Sequence, residues 1–200
     1  MEKVIVTGGA GFIGSHIVDA LIDRGYDVHI VDNLFSGNKD NINPKATFHN
    51  VDIRDLETLK SLFVGVKYVF HEAALLQVQY SIENPVETSE VNVTGLLNIL
   101  EACRINNVKR LIFASSCAIY GDQPTLPLVE TMEALPLSPY GAYKHAGETY
   151  CSLWSRIYGL ETVSLRYFNV YGPRQSSVVA YASVIAKFID LRNLSSTNND

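Results

Sequence analysis

The chain has 200 residues, of which 47% are apolar and 18% charged, so it can bury a sizeable core and is not disordered as a whole. The formal net charge is −5 and no run of basic residues occurs, which argues against nucleic-acid partners. No apolar stretch reaches the roughly 18 residues that span a bilayer, and no signal-peptide pattern opens the chain. With three scattered cysteines, these features predict a soluble cytoplasmic protein without a disulfide framework, a metal site or a membrane partner.

Short β-branched segments alternate with longer segments of helical period. This alternation predicts a parallel sheet with helices on both faces, a doubly wound α/β fold of the Rossmann type. One helix should open in the glycine-rich segment, another should include residues 96–100, and a third should run over 140–158 between Ser138-Pro139 and Gly159. The six predicted strands cover residues 4–7, 27–31, 47–51, 68–70, 110–114 and 162–165.

The segment TGGAGFIG at 7–14 follows the first strand and opens the first helix. Gly8 suits a tight turn, Gly11 lets the backbone approach a pyrophosphate, and Gly14 permits close packing of helix on strand. The helix N-terminus would add unpaired N–H groups for the phosphates. Asp32 ends the second strand about twenty residues later, where its carboxylate can accept the ribose hydroxyls. The pattern predicts dinucleotide binding rather than an ordinary glycine turn, and an acidic residue at this point favours NAD over NADP.

Asp52 and Ile53 follow the third strand, at the edge of the sheet where ligands of parallel α/β folds gather. They could close over the adenine of a bound nucleotide. Equally, Asp52 could be the N-cap of a helix over residues 56–63. The sequence leaves both interpretations open.

Tyr140 and Lys144 are spaced i, i+4 and therefore share one face of the third helix. A lysine ammonium about 5 Å from a phenol would favour the ionised phenol by about two pKa units. This predicts Tyr140 as a general base near neutral pH, with the Ser116 hydroxyl at the end of the fifth strand as a relay to a substrate hydroxyl. A Tyr-x-x-x-Lys pair alone is usually a solvated helix face, but here it accompanies the glycine motif and the serine.

At these residues the sequence resembles the nucleotide-sugar epimerase and dehydratase group of the extended short-chain dehydrogenase/reductases. The resemblance runs from Glu2 to about Phe188, through TGGAGFIG at 7–14, HEAA at 71–74, NVTG at 92–95, the Ser116 and Tyr140 motifs and RYFNVYGP at 166–173. It implies a catalytic Ser116, Tyr140 and Lys144, with Ser116, Tyr140 and Asn169 near the sugar nucleotide. It also implies NAD held by Gly8, Gly11, Phe12, Ile13, Gly14, Asp32, Asn33, Asp52, Ile53, Ala73, Ala74, Asn92, Tyr140 and Lys144.

Within that family, a dehydratase or decarboxylase needs a carboxyl group beside the catalytic hydroxyl. This chain has Ser116-Cys117-Ala118 instead, so we expect 4-epimerisation of a UDP-hexose, glucose/galactose or the N-acetyl forms, through a 4-keto sugar. Alternatives that stay open are a dehydratase or reductase of the same family, and an NAD-binding or dimerisation fragment without turnover.

The resemblance also bears on domains and assembly. It predicts an NAD-binding domain with the catalytic residues over 1–175, and over 176–200 the start of a small C-terminal substrate domain that is otherwise largely missing. The polar residues from 191 onwards predict a frayed tail. Members of the family dimerise through two long helices per subunit, so we expect a homodimer through the apolar faces of residues 96–100 and 143–154.

Overall fold

In the computed structural model of this protein, the described residues are 1–175 and Phe188. The chain divides into two compact units, Met1–Tyr167 and Phe168–Asp200. The division predicted at residue 175 stays a prediction. Apart from Phe188, residues 176–200 lie outside the described residues, and with them the predicted tail at 191–200.

The first unit is built on a parallel sheet. Its strands are β1 Lys3–Thr7, β2 Asp27–Val31, β3 Thr47–His49, β4 Val66–His71, β5 Arg110–Ser116 and β6 Glu161–Tyr167. Their order is β3-β2-β1-β4-β5-β6, and each pair of neighbours is parallel. This order confirms the predicted doubly wound fold, and the chain reverses its direction of winding between β1 and β4, the point where ligands bind in such sheets.

Helices connect the strands. Their bounds are α1 Phe12–Asp23, α2 Leu56–Leu62, α3 Val78–Glu83, α4 Pro85–Ser89, α5 Gly95–Ile105 and α6 Pro139–Tyr158, with a π-helical turn at Glu90–Thr94 and 3₁₀ turns at Lys39–Asn41 and Cys117–Ile119. The predicted ends of α6 are confirmed. The Ser138 hydroxyl caps its first turn, Pro139 is its first residue and Gly159 ends it with a left-handed φ of 72°.

The helix-cap interpretation of Asp52 is wrong. The N-cap of α2 is Asp55, whose carboxylate accepts a hydrogen bond from the N–H of Thr58. The third strand stops at His49 rather than at residue 51, so Asp52 lies in the connection between strand and helix and its side chain does not cap α2.

Strand residues alternate between two apolar layers, as the period of 2 in a strand requires. Val4 and Val6 pack with Val18 and Leu21 of α1, whereas Ile5 belongs to the layer under α2, α5 and α6. That second layer also buries Leu96, Ile99 and Leu100 completely. The expected dimer contact through residues 96–100 is therefore wrong for Leu96, Ile99 and Leu100, because these side chains pack into the chain's own core.

Among the described residues, no helix is both long and apolar enough to cross a membrane.

Candidate functional site

The glycine-rich turn connects β1 to α1 in a conformation that side chains would prevent. Gly8 has a φ of 69°, and a Cβ there would lie 2.7 Å from the backbone nitrogen of Ala73. A Cβ on Gly14 would overlap the carbonyl oxygen of Gly8. Gly11 is the N-cap of α1 and contributes no capping side chain, so the first N–H groups of this helix receive no side-chain cap from it.

Asp32 is buried beside this turn. Its carboxylate accepts hydrogen bonds from the N–H of Ala10 at 3.0 Å and from the N–H of Leu34 at 2.8 Å. The residue thus holds the glycine-rich turn against the end of β2. Its predicted role, the binding of the ribose hydroxyls, stays a prediction.

Asn33 and Asp52 lie next to each other beyond β2 and β3. The Asn33 amide donates to the Asp52 carboxylate at 3.0 Å, and Arg54 donates to both oxygens of that carboxylate. The hydrogen bonds from Arg54 hold the pKa of Asp52 below its ordinary value. Ile53 is buried against Gly95 at the start of α5, where a Cβ would lie 2.6 Å from its Cδ1 atom. These contacts join Asp52 to Asn33 and Ile53 to the start of α5, and the predicted roles of Asp52 and Ile53 near the adenine stay predictions.

Ala73 and Ala74 follow β4 and pass directly over the glycine-rich turn. The N–H of Ala73 donates to the Thr7 hydroxyl at 3.3 Å, and Thr7 is also hydrogen-bonded to the buried ring of His71 at 2.7 Å. Asn92, predicted to bind the cofactor, is buried and directs both ends of its amide to the backbone of Leu75. In this structure its side chain fixes the segment that carries Ala73 and Ala74.

The predicted catalytic side chains come together where β5 ends. Tyr140 is 8% exposed and Lys144 is 4% exposed. The hydroxyl of Ser116, the last residue of β5, is close enough to the Tyr140 phenol to lower its pKa. The Lys144 ammonium donates to the carbonyl oxygen of Ala114 at 2.6 Å and lies 5.8 Å from the centre of the Tyr140 ring. The i, i+4 spacing on α6 therefore brings both side chains to the serine.

The predicted lowering of the Tyr140 pKa is wrong for this structure. Burial raises the pKa of Tyr140 above its ordinary value, and the hydrogen bond with Ser116 only partly offsets this effect. Burial also lowers the pKa of Lys144 to about 8, which weakens its cationic character. The sequence argument counted the attraction between the two groups and left out the loss of water around both of them.

Two further residues belong to this site and were not predicted. Ser81 is buried, and its hydroxyl accepts a hydrogen bond from the N–H of Tyr140 at 3.1 Å while it donates to Val78 at 2.6 Å. Glu72 receives a hydrogen bond from the Tyr167 hydroxyl at 3.3 Å, and burial raises its pKa to about 7. Only Glu72 had a local signal, an acidic residue directly after a buried strand.

Asn169 is exposed and belongs to the second compact unit. Its predicted position near the sugar nucleotide stays a prediction, as do the roles of the other predicted site residues.

Comparison with known proteins gives matches over most of the chain. Residues 4–194 match the model of the NAD-dependent epimerase/dehydratase family. A Methanocaldococcus jannaschii protein provisionally named UDP-glucose 4-epimerase is 52% identical over 189 residues, which are 94% of this chain and 62% of that protein. The UDP-glucose 4-epimerase of Lacticaseibacillus casei is 39% identical over 171 residues, 84% of this chain and 52% of that protein.

Solved structures agree with these matches. The UDP-N-acetylglucosamine 4-epimerase from Methanobrevibacter ruminantium, in complex with UDP-N-acetylmuramic acid, superposes with a TM-score of 0.93 at 45% identity and covers 97% of this chain. The Thermus thermophilus UDP-glucose 4-epimerase, in complex with NAD, superposes with a TM-score of 0.86 at 45% identity and covers 94%. The chain spans 63% and 60% of the lengths of these two proteins.

Proposed function

Because this chain belongs to the NAD-dependent epimerase/dehydratase family, we propose that it is an NAD-dependent 4-epimerase of UDP-hexoses. One observation carries the proposal: Ser116, Tyr140 and Lys144 meet at the end of β5, at the same edge of the sheet as the glycine-rich turn. An acid–base group beside a dinucleotide site is what the removal and return of hydrogen at a carbinol carbon requires.

The residues around the glycine-rich turn fit NAD. The start of α1 lies so close to the end of β1 that a Cβ on Gly14 would overlap the Gly8 carbonyl oxygen. The start of this helix has no side-chain cap, so it can offer N–H donors to a pyrophosphate. Asp32 and Asn33 would take the adenosine ribose, with Asp52 and Ile53 near the adenine. When bound, NAD would accept the C4 hydrogen of the sugar with its electron pair and return it to the opposite face of the 4-keto sugar.

The chain's own residues handle the proton. Tyr140 would take the proton of the sugar 4-hydroxyl and give it back at the end of the cycle, with the Ser116 hydroxyl aligning that hydroxyl. Since burial raises the pKa of Tyr140, a positive charge close to the phenol is needed to ionise it. Lys144 is the lysine placed to provide this charge, at 5.8 Å from the ring centre.

The substrate class follows from the residues beside Ser116. Cys117 and Ala118 provide no carboxyl group next to the catalytic hydroxyl, which supports epimerisation over dehydration. UDP-glucose and UDP-N-acetylglucosamine 4-epimerases among the similar structures support a UDP-hexose. Asn169 would contribute to binding this sugar nucleotide.

We also propose a cytoplasmic homodimer. The free thiols of the described cysteines, Cys103, Cys117 and Cys151, support a reducing compartment. Because Leu96, Ile99 and Leu100 are buried in the core, the candidate contact is formed by the half-buried aromatic residues of α6 between Tyr143 and Trp154.

The test is to incubate the purified chain with NAD and UDP-galactose and to separate the sugar nucleotides by chromatography. We expect UDP-glucose to form, and Tyr140→Phe to lower the rate by at least about 100-fold, the usual contribution of a general base. The matched control is Tyr143→Phe on the same helix, whose hydroxyl donates to Pro85 and should leave the rate unchanged. If NAD binds and no sugar nucleotide is converted, the chain is a cofactor-binding module and the epimerase proposal fails.

A further inference from the structure

Glu72 carries a carboxyl group that the proposed mechanism does not use, and it lies at the same edge of the sheet as Lys144. It follows directly after β4, whose last residue, His71, is paired with Phe113 of β5. The next residue of β5 is Ala114, whose carbonyl oxygen accepts the hydrogen bond from Lys144 at 2.6 Å. Because neighbouring strands are about 4.8 Å apart, the backbone of Glu72 runs beside the point where the ammonium is anchored.

Two hydrogen bonds fix Glu72 in this corner, one through its backbone and one through its carboxyl group. Its own N–H donates to the carbonyl oxygen of Thr7 in β1 at 3.2 Å. The Tyr167 hydroxyl, at the end of β6, donates to its Oε1 atom at 3.3 Å. Tyr167 is itself paired with Ser116 across β5 and β6. The carboxyl group is thus tied to the end of β6 beside Ser116, and its charge acts on Lys144.

Other titratable groups face Lys144, and each of them is neutral near pH 7. From β4, the buried ring of His71 has its pKa lowered to about 3. From α6, burial raises the pKa of the Cys151 thiol to about 12 and raises that of the Tyr140 phenol. Glu72 is the acidic group acting on Lys144 whose pKa, about 7, lets it carry a charge in the neutral range.

We propose that Glu72 is a positioning residue that supplies the counter-charge of the Lys144 ammonium. Lys144 is hydrogen-bonded to a neutral carbonyl oxygen and forms no direct ion pair with Glu72, so the carboxylate acts through space. With Glu72 ionised, Lys144 stays protonated, and the proposed ionisation of Tyr140 keeps the positive charge that it needs. With Glu72 protonated or replaced, the ammonium loses this support. The inference deepens the proposed function, because it rests on the role of Lys144 there.

The experiment measures the titration of Lys144 directly. The chain is labelled with ¹³Cε-lysine, the Lys144 signal is identified by its loss in Lys144→Arg, and its chemical shift is followed from pH 6 to 11. In Glu72→Gln, which keeps the acceptor for Tyr167, we expect the pKa of Lys144 to fall by about one unit, the size of a through-space interaction at these separations. In Glu72→Asp, which keeps a carboxylate, we expect the pKa of Lys144 to stay close to its wild-type value. The control is Glu57→Gln, which removes an exposed carboxylate that pairs with Lys60 and should leave the Lys144 titration unchanged.

A merely structural Glu72 would change stability without moving this titration. The proposal is overturned if Glu72→Gln has the circular dichroism spectrum of the wild type and the same Lys144 pKa. Because the measurement uses no sugar nucleotide, its outcome is independent of turnover. A chain that fails to epimerise UDP-galactose but shows the shift refutes the proposed function and leaves the role of Glu72 standing.

Discussion

At the scale of single residues, the glycine-rich turn depends on positions that have no Cβ atom. A side chain at Gly14 would overlap the Gly8 carbonyl oxygen, which is backbone and has no room to move, whereas one at Gly11 would lie 3.1 Å from the same atom. We expect Gly14→Ala to lower the free energy of unfolding by about 2 kcal/mol or more and to abolish NAD binding. Urea denaturation and fluorescence titration with NADH test both effects. Gly11→Ala is the matched comparison, and a cost there equal to that of Gly14→Ala would contradict the steric argument.

At the scale of elements, α6 places Tyr140 in its first turn and Lys144 one turn later. The Ser138 hydroxyl accepts a hydrogen bond from the N–H of Gly141 at 3.1 Å and so closes that first turn. Ser138→Ala should lower the free energy of unfolding by about 1 kcal/mol, because a helix N–H loses its acceptor. Ser138→Asp keeps an acceptor and should retain most of the stability. Urea denaturation measures the free energy of unfolding of both variants. An equal decrease in Ser138→Ala and Ser138→Asp would show that the cap contributes nothing to stability.

The elements were largely predictable from the sequence, because strand period, glycine positions and helix caps are local signals. Ser138 and Gly159 marked the ends of α6 correctly, whereas β3 ended two residues before its predicted limit and β5 and β6 each ended two residues after theirs. Contacts between distant segments gave no such signal. The hydrogen bond between Ser81 and Tyr140 joins residues 59 positions apart in the sequence, and the one between Tyr167 and Glu72 joins residues 95 positions apart. The pKa of Tyr140 was mispredicted for the same reason, since burial depends on how the finished elements pack.

At the scale of the whole molecule, most residues proposed to hold the cofactor directly follow β1, β2, β3 and β4 or lie in α1 and α6. All of them belong to the first compact unit, so we expect NAD to bind the folded chain alone. At about 100 times its dissociation constant, NAD would then add about 2.7 kcal/mol of stability and raise the melting temperature by about 5–10 °C. NADP at the same concentration should raise it much less, because Asp32 would face the 2′-phosphate. Thermal denaturation monitored by circular dichroism measures both, and equal shifts would contradict the assignment of NAD.

The two hydrogen bonds that the Asp32 carboxylate accepts from Ala10 and Leu34 have a consequence for the speed of binding. The glycine-rich turn takes its shape when the chain folds, because the Asp32 carboxylate holds it through these hydrogen bonds. The conformational entropy of this segment is therefore already lost before a ligand binds. The turn is preorganised for the dinucleotide, so binding needs no slow rearrangement of its backbone. The association rate constant of the cofactor would then be set by diffusional encounter rather than by a conformational change of this segment.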